Sequence, residues 1–196
     1  MDESAVNQFQ AIGRDLFVSR LISSHGGNLS VRTGETIYIT RTGVQLAHLG
    51  AGDIIEVSLT EASEQDARAS CELVVHRAIY RARQDKWGEE AGAIVHAHSP
   101  DTTVRSILED VIAPVDSEAC LIMGRIEVVT ARDTIGSAEA GEVLADALSK
   151  TESPNSIAVL RGHGPFAHGA TLEDAYRMVS VLEHSAGIIS QLQMLR

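Results

Sequence analysis

Apolar side chains at Val6, Phe9, Ile12 and Leu16 recur every three or four positions until the run breaks at the polar and glycine-rich stretch SSHGG, residues 23–27. That spacing gathers them on one side of a helix, so residues 3–22 are predicted to open the chain as an amphipathic helix. NLSVRT (28–33) and TIYIT (36–40) then alternate in the manner of strands around Thr33, Gly34 and Glu35, which predicts a hairpin. DIIEVSL (53–59) reads as a third strand and TEASEQDARA (60–69) as a loop.

The segment SCELVVHRAIYRAR (70–83) has good helix formers, Ser70 placed to cap the N-terminus, and arginines near the end where they complement the dipole. AGAIVHAH (91–98) reads as a buried strand passing directly into the helix SPDTTVRSILED (99–110), with Ser99 as cap and Pro100 at the first helical position. RIEVVT (125–130) is a further strand, SAEAGEVLADALSK (137–150) a capped helix, and SIAVLRGHGPFAHG (156–169) two short strands broken by glycines. Thr171 and Asp174 have capping-box spacing ahead of a long helix running to the C-terminus. Strands and helices mix without strict alternation, and the early hairpin favours antiparallel pairing. The pattern predicts a single α/β layered domain over residues 1–196.

Composition narrows the function. The hydrophobic fraction of 44% and charged fraction of 22% are ordinary for a globular protein, and 196 residues supply a core that needs neither disulfides nor a structural metal. Twenty-seven acidic against 16 basic residues give a formal net charge of −11 with no basic patch, which argues against nucleic acid and anionic membrane as partners. Cys71 and Cys120 form no CxxC pair, the N-terminus lacks a signal-peptide apolar core, and nowhere do 18 apolar residues run together. A reducing, cytoplasmic location is expected.

Against that background His96 and His98 stand out. A spacing of two on a strand sends both imidazoles to one face, where they can share an ion. Two histidines bind weakly, so a third ligand is needed: His163, flanked by glycines, is the first choice, and His168 a weaker competitor. Three histidines would leave a coordination position open, as catalytic sites do. The alternative is that HxH merely marks a strand end facing solvent. His76 and His184 fall within helices and read as packed or exposed bystanders. Glu72 sits in a first helical turn, where a carboxylate is favoured by the dipole alone, though it could serve as a base. The same turn, with GGN (26–28) and TRTG (40–43), offers backbone N–H groups and hydroxyls able to cradle an anion.

Taken in order, GGNLSVR, TRTGV, SCELVVHRAIYRAR, IVHAHSP and LRGHGPFAHG resemble the class II aldolase/adducin family over residues from about 10 to 190. The resemblance implies a single-domain three-layer α/β/α fold with a mainly antiparallel central sheet, assembled as a homotetramer with active sites between subunits. It places zinc, or another divalent transition metal, on His96, His98 and His163, and the general acid/base on Glu72. Substrate phosphate would fall on Gly27, Asn28, Thr42, Gly43 and Ser70. Three departures concern the substrate: Cys71 replaces a common second serine, Arg41 a common proline, and Asp116, Ser117 and Glu118 stand where a proton-donating tyrosine aligns. A longer tail that contributes to the family's site is also not expected after Arg196.

The implied activity is cleavage of a ketose 1-phosphate, such as fuculose 1-phosphate, to dihydroxyacetone phosphate and an aldehyde. Related sugar-phosphate epimerases, decarboxylases and methylthioribulose-phosphate dehydratases could use the same site, since all stabilise an enolate. A non-enzymatic adducin-like interaction module is the alternative of a different class.

Overall fold

The opening helix α1 (Glu3–Val18) buries Phe9, Ile12 and Leu16, and ends before the predicted residue 22 because Arg20 turns left-handed at φ 58°. The computed structural model describes residues 3–150 and 152–195. After α1, β1 (Asn28–Thr33) and β2 (Thr36–Thr40) form the expected hairpin with Thr33 opposite Thr36, and β3 (Ile54–Ser58) pairs with β2. The predicted loop 60–69 carries only a short 3₁₀ turn, Glu64–Ala67.

Next come α2 (Leu73–Trp87), β4 (Ala91–His96), α3 (Pro100–Leu108), β5 (Val111–Ile112), α4 (Ser117–Ile122) and β6 (Ile126–Val129). Then α5 (Ala138–Leu148), β7 (Ser156–Leu160), β8 (Gly164–Gly169) and α6 (Leu172–Met194) complete the described chain. Ser137 caps α5 and Thr171 caps α6, each accepting the N–H three residues on. The predicted helix to the C-terminus holds as far as Met194, and Arg196 lies outside the described residues.

The eight strands form one sheet in the order β3-β2-β1-β4-β8-β7-β6-β5. Every pairing is antiparallel except β6 with β7. Alternation along the strands divides the interior in two. Ala93, Val95, Val159 and Ala167 pack against Phe9 and Leu16 of α1 and Val179 and Leu182 of α6. Ile94, Ala158, Leu160 and Phe166 pack on the other side against Leu73 and Ile79 of α2 and Leu144 and Leu148 of α5. The result is the expected α/β/α sandwich. Each such fully buried large side chain is worth about 1.5–3 kcal/mol, so the fold is not short of apolar stabilisation.

Three local expectations change. Helix α2 begins at Leu73, not Ser70, with Glu72 at the cap position; Ser70 Oγ instead accepts the Glu72 N–H at 3.3 Å, and the helix continues past Arg83 to Trp87, where Gly88 at φ 68° ends it. Strand β4 stops at His96, leaving His98 beyond it. Pro100 does open α3, but Ser99 makes no capping hydrogen bond. Glu183 of α6 does that work, accepting from the N–H of Asp101 at 2.9 Å, the N–H of Thr102 at 2.8 Å and the Thr102 hydroxyl at 2.7 Å. A full negative charge at the positive end of a helix outcompetes a hydroxyl. Strand β5 and helix α4 were not expected; Asp116 accounts for the start of α4 by accepting the Ala119 N–H at 3.0 Å.

Candidate active site

The β4–β8 ladder, with His96 opposite Phe166, brings the two histidine segments together. Gly164 makes the approach possible: at φ 150° a Cβ there would sit 2.1 Å from the Ala97 carbonyl oxygen, so no side chain fits. His163 Nε2 consequently lies 2.9 Å from His96 Nε2, and His98 Nε2 lies 3.0 Å from it on the other side. The three ligand atoms fall within 4.8 Å of one another. His168, by contrast, is buried towards the opposite end of β8 and donates from Nδ1 to the Pro154 carbonyl at 2.8 Å, so it takes no part.

His96 is the most constrained of the three. Its ring stacks on Phe166 with centroids 3.9 Å apart, and Nδ1 donates to the Pro165 carbonyl at 3.0 Å, which leaves the Nε2 lone pair facing the cluster. Burial pushes its pKa down to about 3 against the opposing influence of Glu72, and burial likewise lowers His98. Both are therefore neutral at pH 7, the form that binds metal. His98 is exposed, so the cluster opens to solvent on its side.

Glu72 faces this cluster. Its side chain makes no capping bond to its own helix and turns instead towards His96 and His163. Oε2 accepts from Asn28 Nδ2 at 2.7 Å and lies 3.2 Å from His96 Nε2; Oε1 lies 3.3 Å from His163 Nε2 and is buried with no hydrogen-bond partner. Burial pushes the carboxyl up, while His96, His163 and the Asn28 N–H pull it down, with the net direction below the usual carboxylate range. The His96 share belongs to acid pH, where that ring is charged, and at pH 7 the Asn28 N–H is the donor that remains. Three convergent imidazole nitrogens beside an orphaned carboxylate oxygen are a donor set that a divalent transition ion fits.

A cavity of about 190 Å³ adjoins the cluster, and Gly27, Asn28, Thr42, Gly43 and Ser70 all line it together with Glu72, His98 and His163. Gly27 has φ 77°, and a Cβ there would come within 2.6 Å of the His96 carbonyl oxygen, so this loop must carry glycine to lie against the end of β4. The Thr42 N–H is committed to the Arg68 carbonyl, which leaves its hydroxyl for a ligand. A larger groove of about 570 Å³ between α1 and α6 contains none of these groups.

Comparison with known proteins agrees with the geometry. The family model for the class II aldolase and adducin N-terminal domain matches residues 7–190. The chain belongs to the class II aldolase and adducin family. Among its relatives is a protein named L-fuculose phosphate aldolase from Methanocaldococcus jannaschii, 33% identical over 180 residues that cover 91% of this chain and 92% of the relative. A methylthioribulose-1-phosphate dehydratase from Marinobacter nauticus is 26% identical, covering 92% and 89%. The crystal structure of L-fuculose-1-phosphate aldolase from Thermus thermophilus superposes with a TM-score of 0.88 at 33% identity, over 99% of this chain and 96% of that one. Class II aldolases depend on a metal, in keeping with the three-histidine cluster.

Some lining residues of this class II aldolase family member escaped the sequence reading. His25 and Ile135 border the cavity; Arg41, already marked in the sequence as standing where a proline is common, borders it too, its guanidinium paired with Asp53 at 2.9 Å. His76 is packed, one of the two outcomes expected for it: it is fully buried, with Nε2 2.6 Å from Asn28 Oδ1. Its signal was present: Glu72 and His76 are four apart on one helix face, and Asn28 and Ser30 are two apart on one strand face. Asp116 serves as a helix cap and Glu118 borders the larger groove, so neither reaches the cavity within one chain.

Proposed function

We propose that the protein is a zinc-dependent aldolase that cleaves a ketose 1-phosphate, such as fuculose 1-phosphate, to dihydroxyacetone phosphate and an aldehyde. The observation that carries this reading is Glu72: a buried carboxylate, one oxygen of it without a hydrogen bond, set beside a three-histidine cluster and a cavity lined by glycine backbone, amide and hydroxyl groups. His96, His98 and His163 would hold the ion, which supplies Lewis acidity toward the substrate carbonyl and the developing enediolate. Gly27, Asn28, Thr42, Gly43 and Ser70 hold the phosphate and so fix which carbon faces Glu72. In the synthetic direction Glu72 takes a proton from the hydroxymethylene carbon of dihydroxyacetone phosphate; in cleavage it returns that proton after the carbon–carbon bond has parted.

Two further parts of the proposal concern setting. Exposed Val104, Ile107 and Leu108 on α3, which starts just after His98, favour a subunit contact beside the site, as in a homotetramer with intersubunit active sites. Two free, exposed cysteines suit a reducing cytoplasm, and no helix among the described residues is long and apolar enough to cross a membrane.

The test is an exchange measurement. Zinc-loaded protein should exchange one hydroxymethylene proton of dihydroxyacetone phosphate with solvent before any aldehyde is added, and then condense it with members of an aldehyde panel. A dehydratase, the activity named for the Marinobacter relative, would instead release water from methylthioribulose 1-phosphate. Tight binding of dihydroxyacetone phosphate without exchange would transfer the assignment to such a neighbouring enolate reaction.

A further inference from the structure

Behind Glu72 a buried line of hydrogen bonds leads away from the cavity, and the proposed chemistry makes no use of it. Asn28 Nδ2 donates to Glu72 Oε2 at 2.7 Å, and His76 Nε2 lies 2.6 Å from Asn28 Oδ1. Ser30 Oγ lies 2.6 Å from His76 Nδ1, and the Tyr80 hydroxyl lies 2.8 Å from Ser30 Oγ. None of the five side chains reaches solvent to any useful extent: Asn28, at 6%, is the most exposed residue of the line. Three of them come from one face of the α2 segment at intervals of four, Glu72, His76 and Tyr80, and two from one face of β1, Asn28 and Ser30.

The orientation of the Asn28 amide, with Nδ2 towards Glu72 Oε2 and Oδ1 towards His76 Nε2, determines the direction of every bond in the line. An amide oxygen only accepts, so His76 carries its proton on Nε2 and leaves Nδ1 to accept from the Ser30 hydroxyl. Ser30 has then used its one proton, and its oxygen receives the Tyr80 hydroxyl; the Gly92 carbonyl, at 3.5 Å, is the more distant acceptor. Burial pushes His76 down to about 4 and Tyr80 upward, which keeps the imidazole neutral and the phenol protonated, as this ordering requires. Were the amide to flip, Asn28 Oδ1 would face Glu72 Oε2, two acceptors in a dry site.

We propose that His76, backed by Ser30 and Tyr80, is a positioning residue for proton transfer: it fixes the orientation of the Asn28 amide, which holds Glu72 by Oε2 and leaves Oε1 turned to the reacting carbon. The inference rests on the base role proposed for Glu72.

Four measurements test it. First, ¹⁵N NMR of the imidazoles in the metal-free protein should find His76 as the neutral Nε2–H tautomer. Second, His76→Leu should retain bound zinc while kcat falls about 10–100-fold, the loss typical of removing a partner that orients a working group, with KM changing far less. Third, His76→Gln should recover most of that loss, because its amide can both donate to Asn28 and accept from Ser30. Fourth, Ser30→Ala, which leaves the helix untouched and serves should His76→Leu fail to fold, should give a mixed His76 tautomer and a smaller fall in kcat. An Nδ1–H tautomer in the wild type would overturn the proposal. So would wild-type kcat in His76→Leu, or in Ser30→Ala, when Glu72→Gln is inactive. Full activity in Glu72→Gln would instead remove the base role, and the tautomer measurement would still decide the direction of the line.

Discussion

Replacing Glu183 by alanine separates two accounts of how the chain is held immediately after His96 and His98. In the structure this carboxylate receives two N–H groups and one hydroxyl from Asp101 and Thr102, at 2.7–2.9 Å, while the neighbouring Ser99 hydroxyl is buried and makes no hydrogen bond. Loss of a helix cap removes about 0.5–2 kcal/mol. Withdrawing a half-buried negative charge from a helix N-terminus removes about 0.3–1 kcal/mol more. Together the loss is about 1–3 kcal/mol, which in a domain of this size lowers Tm by about 2–4 °C for each kcal/mol. Glu183→Ala should therefore melt about 2–12 °C below wild type, and Glu183→Gln in between, since the amide oxygen still accepts but carries no charge. Ser99→Ala should melt within the small range of a neutral change, about 0.5 kcal/mol. Since α3 starts two residues after His98, Glu183→Ala should also weaken zinc binding in a competitive chelator titration. Circular dichroism melts at low salt decide the matter. A Ser99→Ala loss as large as that of Glu183→Ala would refute the long-range cap and restore the local one.

Other expectations concern the site directly. His163→Ala should lose its zinc, measured by elemental analysis, yet keep a cooperative melt, because the core is sufficient without metal; full occupancy in this variant would remove His163 from the site. Glu72→Gln should keep zinc and lose about 10²–10⁴-fold in turnover, and wild-type rates there would reduce Glu72 to a structural role. Dihydroxyacetone phosphate should raise the melting temperature whereas dihydroxyacetone should not, and Ser70→Ala should shrink that protection without loss of zinc. Stability should also fall in acid through His76. Its folded pKa of about 4 lies below the unfolded value of about 6.5, so the unfolded state binds the extra proton between those pH values and gains about 1.4 kcal/mol per pH unit over that window. Melts from pH 7 to pH 4 should fall less steeply for His76→Gln than for wild type, and equal slopes would contradict the assignment.

What could be seen in the sequence depended on whether the deciding contact was local. Helix α1, the hairpin around Gly34 and the strand leading to His96 each carry their own periodicity and formed, although α1 stops four residues and the strand two residues short of the expected ends. A two-residue β5 and a six-residue α4 have no period to detect, and they exist because neighbouring elements hold them. Ser99 has the right chemistry for a cap, but Glu183 is supplied from 82 positions away, beyond any local rule. His96 and His98 declared themselves by spacing and His163 by its flanking glycines, but no local pattern states that β8 pairs with β4, and only that pairing separates His163 from its competitor His168. The line through His76 was missed for a related reason: its two periodic sets lie on different elements, and only the packing of α2 beneath β1 turns them towards each other.

The pairing of β4 with β8 also bears on how the protein comes to be active. His96 and His163 lie 67 positions apart, and a ladder of backbone hydrogen bonds, not an ion, closes that distance. Closing so long a loop is the slow, entropically opposed event, and it is complete when the sheet is complete. At the proposed site, metal would meet a finished receptor, open to solvent past the exposed His98 ring. Loading and loss would then proceed without unfolding, and the fraction of working protein would follow the supply of ion.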